Sequence, residues 1–484
     1  MSGGFRSRAE GRRQPARGDR RDQRAPAPER KGRGGGPRRA SIGDPAREAA
    51  WEVLYRVAED AAYANLILPK LLKERKVKGR DAAFATELTY GALRARGVLD
   101  AVIGECSSRE LARVAPEVLA ALRLGAYQLL YTRVEPHAAV DTSVRLVEAS
   151  GQEKAKGFAN GILRTISRTP AAEWMNKLAP EDPLGNLAFR TAHPEWIARS
   201  FARALGAEEP SELEAALTAD SERPIVHLVA RPGEISAEEL ALITGGEEGA
   251  YSPYAVYLEE GDPGQLEPVR DGLASVQDEG SQLIAWATAS VPVDDDRGRW
   301  LDLCAGPGGK AALMGALAAI DGASVDAVEV STHRAELIRG AVAGLPVTVH
   351  TADGRSPGLE PGYDRVLVDA PCSGLGALRR RPEARWTKTE EDIAELNALQ
   401  SELLASAIGL AKPGGIIVYS TCSPDVRETR GVVDTALRAG TVEELDARQF
   451  VGGMDNVGDG PSVQMWPHRH GTDAMFFSVL RKIG

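Results

Sequence analysis

The sequence predicts a multidomain chain: an all-α N-terminal domain, a small α/β subdomain, and a C-terminal α/β domain built on a doubly wound parallel sheet. Its 484 residues exceed what one hydrophobic core usually fills. Between residues 43 and 170 apolar residues recur at helical spacing, with almost no strand pattern among them. After Val276 short apolar runs alternate with helical patterns, as strands and crossover helices do in a parallel sheet.

Residues 1–42 read as a basic tail without a core. The first 40 residues hold 13 Arg and Lys against 4 Asp and Glu, a net of +9, so the remainder carries −19 of the chain's total of −10. Such a tail buries too little apolar surface to fold, and it either attracts phosphates or simply solvates the chain. Hydropathy provides neither a run of about 18 apolar residues nor a signal-peptide core, so a cytoplasmic protein without membrane insertion is expected. The four cysteines, Cys106, Cys304, Cys372 and Cys422, lack CxxC spacing. Reduced thiols are therefore expected, with no metal site and no disulfide framework.

The helical domain, residues 43–170, starts where Asp44 caps and Pro45 opens a helix whose apolar face is Ala46, Ala49, Ala50, Val53, Leu54 and Val57. Amphipathic stretches follow at residues 65–72, 82–93, 98–103, 116–130, 139–149 and 157–167. From 180 to 275 the pattern is mixed: HPEW (His193–Trp196) opens a helix, PIVHLVARPG (Pro224–Gly233) reads as a strand, and Gly245–Gly249 reads as a loop. In residues 276–484, strands are expected at Trp300–Leu303, Val325–Val330, Val347–His350, Val366–Val368 and Ile416–Tyr419. AMFFSVLRK (Ala474–Lys482) reads as a final edge strand.

The first of these strands runs into LDLCAGPGGK, whose glycines Gly306, Gly308 and Gly309 let the backbone approach a ligand at the start of a helix. Glu329, at the end of the next strand, suits ribose hydroxyls, and Asp353, after the third, suits an adenine edge. The loop is neither GxGxxG nor a P-loop, so a ligand without a pyrophosphate clamp is expected. S-adenosylmethionine fits that description.

Cys372 in VLVDAPCSG and Cys422 in IIVYSTCS each follow a strand end, where three such ends share one crevice. A thiolate adds to an electron-poor ring carbon, which is what methylation at pyrimidine C5 requires. By spacing alone either thiol can attack, and Asp369 can hydrogen-bond the ring. Cys304 and Cys106 read as inert. Between the two thiols, LRRRPEARWTK offers Arg379, Arg380, Arg381, Arg385 and Lys388 as a phosphate grip. His468 and His470 lack partners at metal spacing.

Together, DAPCSG, YSTCS and LDLCAGPGGK, in that company of VQDEGSQ, RRRPEARW and HRHGTDAMFF, closely resemble the RsmB/Nop2/Sun family of RNA cytosine-C5 methyltransferases. The helical segment, with VEPHAAVDTSVRLVE and FANGILRTI, resembles the NusB-like domain of bacterial members. The resemblance implies a NusB-like RNA-binding domain, an RNA-binding α/β subdomain and a Rossmann-like catalytic domain. It implies methylation of cytosine C5 in small-subunit ribosomal RNA, with transfer RNA as the alternative substrate; a monomer is expected. It further implies that Cys422 attacks C6, Cys372 assists release, and Asp369 holds the base. Cys304, Ala305, Gly306, Pro307, Gly308, Gly309, Lys310, Glu329, Asp353 and Asp369 then contact S-adenosylmethionine. Two departures stand out: Glu428 is followed by Thr429 where the family often has an acidic-Asn pair, and PIVHLVARPG lacks the usual Arg and Asn pattern.

Overall fold

The computed structural model describes residues 41–60, 62–206 and 210–484. All but the last two residues of the expected basic tail lie outside the described residues. Ile42, counted with that tail, is in fact buried, and its N–H bonds to the Glu48 carboxylate at 2.6 Å.

Eight helices come first: α1 (Pro45–Glu59), α2 (Ala64–Glu74), α3 (Gly79–Arg94), α4 (Arg96–Cys106), α5 (Pro116–Tyr131), α6 (Pro136–Ala149), α7 (Lys156–Ile166) and α8 (Ala171–Leu178). Asp44 accepts the Arg47 N–H at 3.0 Å, so α1 is capped as the sequence implies. Its six periodic apolar residues are all buried, in one core with α5 and α7. Trp51 is fully buried there because its indole N–H reaches the Glu117 carbonyl at 3.0 Å.

Next come α9 (Pro183–Arg190), α10 (Glu195–Leu205) and α11 (Pro210–Ala219). Although they precede the small subdomain in sequence, Ile197, Phe201 and Leu217 share their core with Leu375, Leu378, Ile393 and Trp466 of the C-terminal part. A four-stranded antiparallel sheet follows, made of β1 (Val226–Ala230), β2 (Glu247–Glu248), β3 (Ala255–Leu258) and β4 (Ala274–Val276) in the order β2-β3-β1-β4. It is backed by α12 (Ala237–Thr244), and α13 (Glu267–Arg270) leads into β4. The Gly245–Gly249 segment, expected as a loop, contains the two-residue edge strand β2.

The remaining elements are α14 (Glu279–Ser290), β5 (Arg299–Asp302), α15 (Gly309–Asp321), β6 (Ser324–Glu329), α16 (Thr332–Ala341), β7 (Val347–Thr351), β8 (Tyr363–Asp369), α17 (Ala384–Thr387), α18 (Glu390–Leu410), β9 (Ala411–Thr421), α19 (Arg430–Arg438), β10 (Val442–Leu445), β11 (Val463–Gln464), α20 (Pro467–His470) and β12 (Phe476–Lys482). The large sheet has the order β10-β12-β9-β8-β5-β6-β7, with β11 paired to β12. From β9 to β7 it is parallel, with apolar layers on both faces, as a doubly wound sheet requires. One expectation is corrected: β12 is no edge strand, since it pairs antiparallel with both β9 and β10. Its run Phe476, Phe477, Val479, Leu480 is buried on both faces, which an edge position does not require.

Candidate active site

The carboxyl ends of β5, β6, β8 and β9 lie side by side and carry Asp302, Glu329, Asp369 and Thr421. Ligands of open parallel sheets bind over these ends. Beyond β9 and β8 lie the two thiols. Cys372 Sγ and Cys422 Sγ are 3.4 Å apart, each half-buried, and the Gly376 N–H holds the Cys422 carbonyl at 2.9 Å.

This pair is electrically unequal. The hydrogen bond from Cys372 lowers the Cys422 pKa against the opposing effect of burial, and Arg381 and Lys310 add to the lowering. The same bond, with burial, pushes the Cys372 thiol well above its ordinary value. These opposite directions make Cys422 the readier thiolate of the two. Lys310 donates to Asp369 Oδ2 at 2.8 Å, and Ser420 donates to Oδ1 at 3.1 Å. Burial works against the Lys310 ammonium, yet Asp369 holds its pKa above the usual range.

The Cys372 loop is anchored by a group the sequence marked only as a departure. Glu428 is fully buried and accepts the Ser373 N–H at 2.8 Å, the Ser373 hydroxyl, and the Gln400 amide at 3.0 Å. Ser373 and Ser423, each next to a thiol, touch through their hydroxyls at 3.1 Å.

On the other side of β5 the glycine loop leads into α15. A Cβ on Gly306 would stand 2.2 Å from Glu329 Oε2, and one on Gly308, whose φ is +116°, would press on the Ile338 and Ala341 backbone and side chain at 3.2 Å. Glu329 is buried and accepts from Ser331 N and Arg334 Nη2, both at 2.8 Å and both through Oε1. Oε2 is the oxygen turned toward the loop. Two further groups, missed in the sequence, face the same region. Asp302 is buried with Oδ2 lacking a partner among the described residues, and burial with the Asp369 charge pushes its pKa up to about 7. The Gln277 amide is buried with neither atom bonded among the described residues, and it lies 3.6 Å from where a Gly309 Cβ would be. Unpaired buried polar atoms beside a tight glycine loop fit a polar ligand such as a nucleoside. Asp302 sits at a strand end just as Glu329 does, a signal that was available.

Other expected positions behave differently. Asp353 is partly exposed and folded back on Arg355, which donates from Nη2 at 2.6 Å. Burial keeps the Cys304 thiol well above its ordinary pKa, as suits an inert residue, and its N–H reaches Asp302 at 3.4 Å.

The expected phosphate grip is largely corrected. Arg385 is fully buried and donates to the Ala192 carbonyl at 3.1 Å and the Asp220 carbonyl at 2.6 Å. Arg379 is buried on the Gly471 carbonyl at 2.8 Å, and Arg380 forks onto the buried Asp473 carboxylate. All three join distant parts of the chain; Arg379 and Arg385 are buried, while Arg380 is exposed and tied to Asp473. Next to them, Glu383 accepts the Ala64 N–H at 3.2 Å and the Trp386 indole donates to the Leu93 carbonyl at 2.8 Å. The segment is thus a strap between the thiol loop and the helical part. Arg381 stays exposed, 5.8 Å over the Tyr63 ring, and Lys388 is half-buried at the end of α17. His470 is structural: Nδ1 accepts the Trp466 N–H at 2.9 Å.

Among known proteins, residues 287–481 match the model of a family described as 16S rRNA methyltransferase RsmB/F, and residues 44–168 match the NusB family. A Mycobacterium tuberculosis relative named as a methyltransferase, Rv1407, is 57% identical over 452 residues, spanning 93% of this chain and 98% of its own. The ribosomal RNA small subunit methyltransferase B of Enterobacter sp. (strain 638) is 33% identical over 447 residues, spanning 90% and 98%. The solved structure of PH0851 shares the fold, with a TM-score of 0.78 over 91% of this chain and 99% of that one at 23% identity.

Proposed function

This chain belongs to the 16S rRNA methyltransferase RsmB/F family, and from that premise we propose that it methylates cytosine C5 in small-subunit ribosomal RNA through a covalent Cys422 adduct. The observation that carries the mechanism is the unequal thiol pair, 3.4 Å apart, beside the Lys310–Asp369 ion pair.

Cytosine C5 is a weak nucleophile until a thiolate adds at C6. Cys422, favoured as thiolate by the Cys372 bond and by Lys310 and Arg381, adds there. Asp369 holds the ring's amino edge as an acceptor, and the Lys310 ammonium paired with it steadies the negative charge that develops on the ring. S-adenosylmethionine, when bound, supplies the methyl group that C5 takes up. Gly306, Glu329 through Oε2, Asp302 and Gln277 form the cradle that would hold it. A base then removes the C5 proton, its electron pair re-forms the C5–C6 double bond, the C6–S bond breaks with its pair going to the Cys422 sulfur, and the Cys372 thiol 3.4 Å away assists that departure. Every electron pair returns to the ring or to sulfur.

The test compares Cys422→Ala with Cys372→Ala on unmodified 16S rRNA. Loss of both methylation and adduct is expected for the first, and a slowly released adduct for the second. The reverse pattern would exchange their roles, and bisulfite sequencing that found no new 5-methylcytosine would remove the reaction itself.

A further inference from the structure

Of the arginines between the thiols, Arg379 and Arg385 are buried and Arg380 is paired with Asp473, so substrate phosphates need further cations beyond Arg381. The described surface offers one strongly basic run. Residues 70–80, PKLLKERKVKGR without its first proline, hold six Arg and Lys against one Glu, within a chain whose part beyond residue 40 is net acidic by 19 charges. Arg75 is occupied by Glu52, and Lys70 lies 4.0 Å from Glu74. Lys73, Lys76, Lys78 and Arg80 are exposed and form no ion pair among the described residues.

Their placement follows from α2. Tyr63, Leu66, Lys70 and Lys73 fall at i, i+3, i+7 and i+10, so they share one helix face. Tyr63 is 54% and Leu66 66% exposed, both large side chains left to solvent. At one end of this stripe Tyr63 lies under Arg381, four residues beyond Ala377 in the loop that holds the Cys422 carbonyl. At the other end, the eleven residues of α2 carry the stripe about 16 Å to the lysine turn. There Lys76 adopts a left-handed backbone, φ +57°, closing the helix with Val77 N–H on the Leu72 carbonyl at 2.9 Å. Glycine is the residue that position favours. A lysine is retained instead.

The geometry points to this face of α2 and the Lys76–Arg80 turn as a track for the RNA strand flanking the target base: Tyr63 and Arg381 stack nucleobases near the thiols, and Lys73, Lys76, Lys78 and Arg80 hold phosphates farther out. This rests on RNA being the substrate, as proposed above. Aromatic and guanidinium faces with cations beyond them are how single-stranded RNA is held.

The experiment measures binding of the full chain to an unmodified 16S rRNA transcript across a salt series, for wild type and for the combined variant Lys73→Gln, Lys76→Gly, Lys78→Gln, Arg80→Gln. Four lost phosphate contacts make the slope of log K against log salt shallower by about 3. Affinity at 150 mM salt falls by at least about tenfold. Tyr63→Ala alone weakens binding by roughly tenfold with little change in slope. Lys76→Gly alone relieves the backbone, so its thermal midpoint does not fall while RNA binding weakens; this separates folding from recognition. An unchanged slope in the combined variant would overturn the track, even if wild type methylates the transcript. Wild type that binds with the expected slope yet never methylates would sink the proposed reaction and leave the track standing.

Discussion

Glu428→Ala isolates the part of the site that the thiols themselves do not supply. In the native chain this buried carboxylate takes three donors, the Ser373 N–H, the Ser373 hydroxyl and the Gln400 amide. Alanine leaves those donors without an acceptor in a dry space. Each orphaned buried donor costs about 1–3 kcal/mol, and partial rescue by the Ser423 hydroxyl or entering water brings the sum to about 3 kcal/mol. Glu428→Gln keeps one acceptor oxygen, so its cost is smaller, about 1–1.5 kcal/mol. The stability loss is only half of the expectation. Ser373 is the residue after Cys372, so freeing it lets the helper thiol leave its 3.4 Å contact with Cys422. Release should suffer more than attack. The assay follows single-turnover methylation of 16S rRNA and, on denaturing gels, the protein–RNA adduct. For Glu428→Ala we expect a slowed turnover with adduct accumulating, as for Cys372→Ala, and an intermediate pattern for Glu428→Gln. A folded Glu428→Ala protein with wild-type turnover and no adduct would refute the positioning role.

Lys310→Met removes one of the cations that lower the Cys422 pKa, so the thiolate pKa rises and the acid limb of the rate–pH profile moves to higher pH. At saturating cofactor this means several-fold less activity on the acid side of the profile and partial recovery at about pH 9; a profile merely scaled down at every pH would contradict it. Asp220, fully buried beside His193 and Arg385, has its pKa pushed up to about 7 by burial. The native state therefore keeps a proton that the unfolded chain has lost, and stability falls as pH rises from about 4 to about 7. Asp220→Asn removes that decline: relative to wild type it gains up to about 4 kcal/mol between pH 4 and pH 8. Urea unfolding at both pH values checks it, and equal wild-type and variant pH dependence would count against it.

Much of this architecture was legible because periodicity and caps are local. Ala46 to Val57 marked the buried face of α1, Asp44 its cap, and the strand ends bearing Glu329, Asp369 and both thiols came from apolar runs meeting turn residues. What failed was long-range. The sequence presents Arg379 and Arg385 as surface charge and Arg380 as unpaired, since nothing local reveals that Gly471, Asp220 and Asp473 wait for them 92 to 165 positions away. Glu428 could be noticed only as an odd neighbour of Thr429, because its three donors lie on two other elements. The last strand read as an edge since sheet order, unlike strand existence, is decided by pairing with β9 and β10.

That interior strand sets a timetable for making the enzyme. Cys422 sits at the end of β9, whose neighbour β12 begins roughly 55 residues later, at Phe476. At a synthesis rate of about 5–20 residues per second, the edge of β9 opposite β8 stays unpaired for about 3–11 s after it leaves the translation machinery. Ile416, Ile417, Val418 and Tyr419, all buried in the finished sheet, are then open to pairing with another nascent chain. Slower growth temperatures or a holding chaperone should raise the yield of soluble protein far more than they would for a chain whose sheet closes in sequence order.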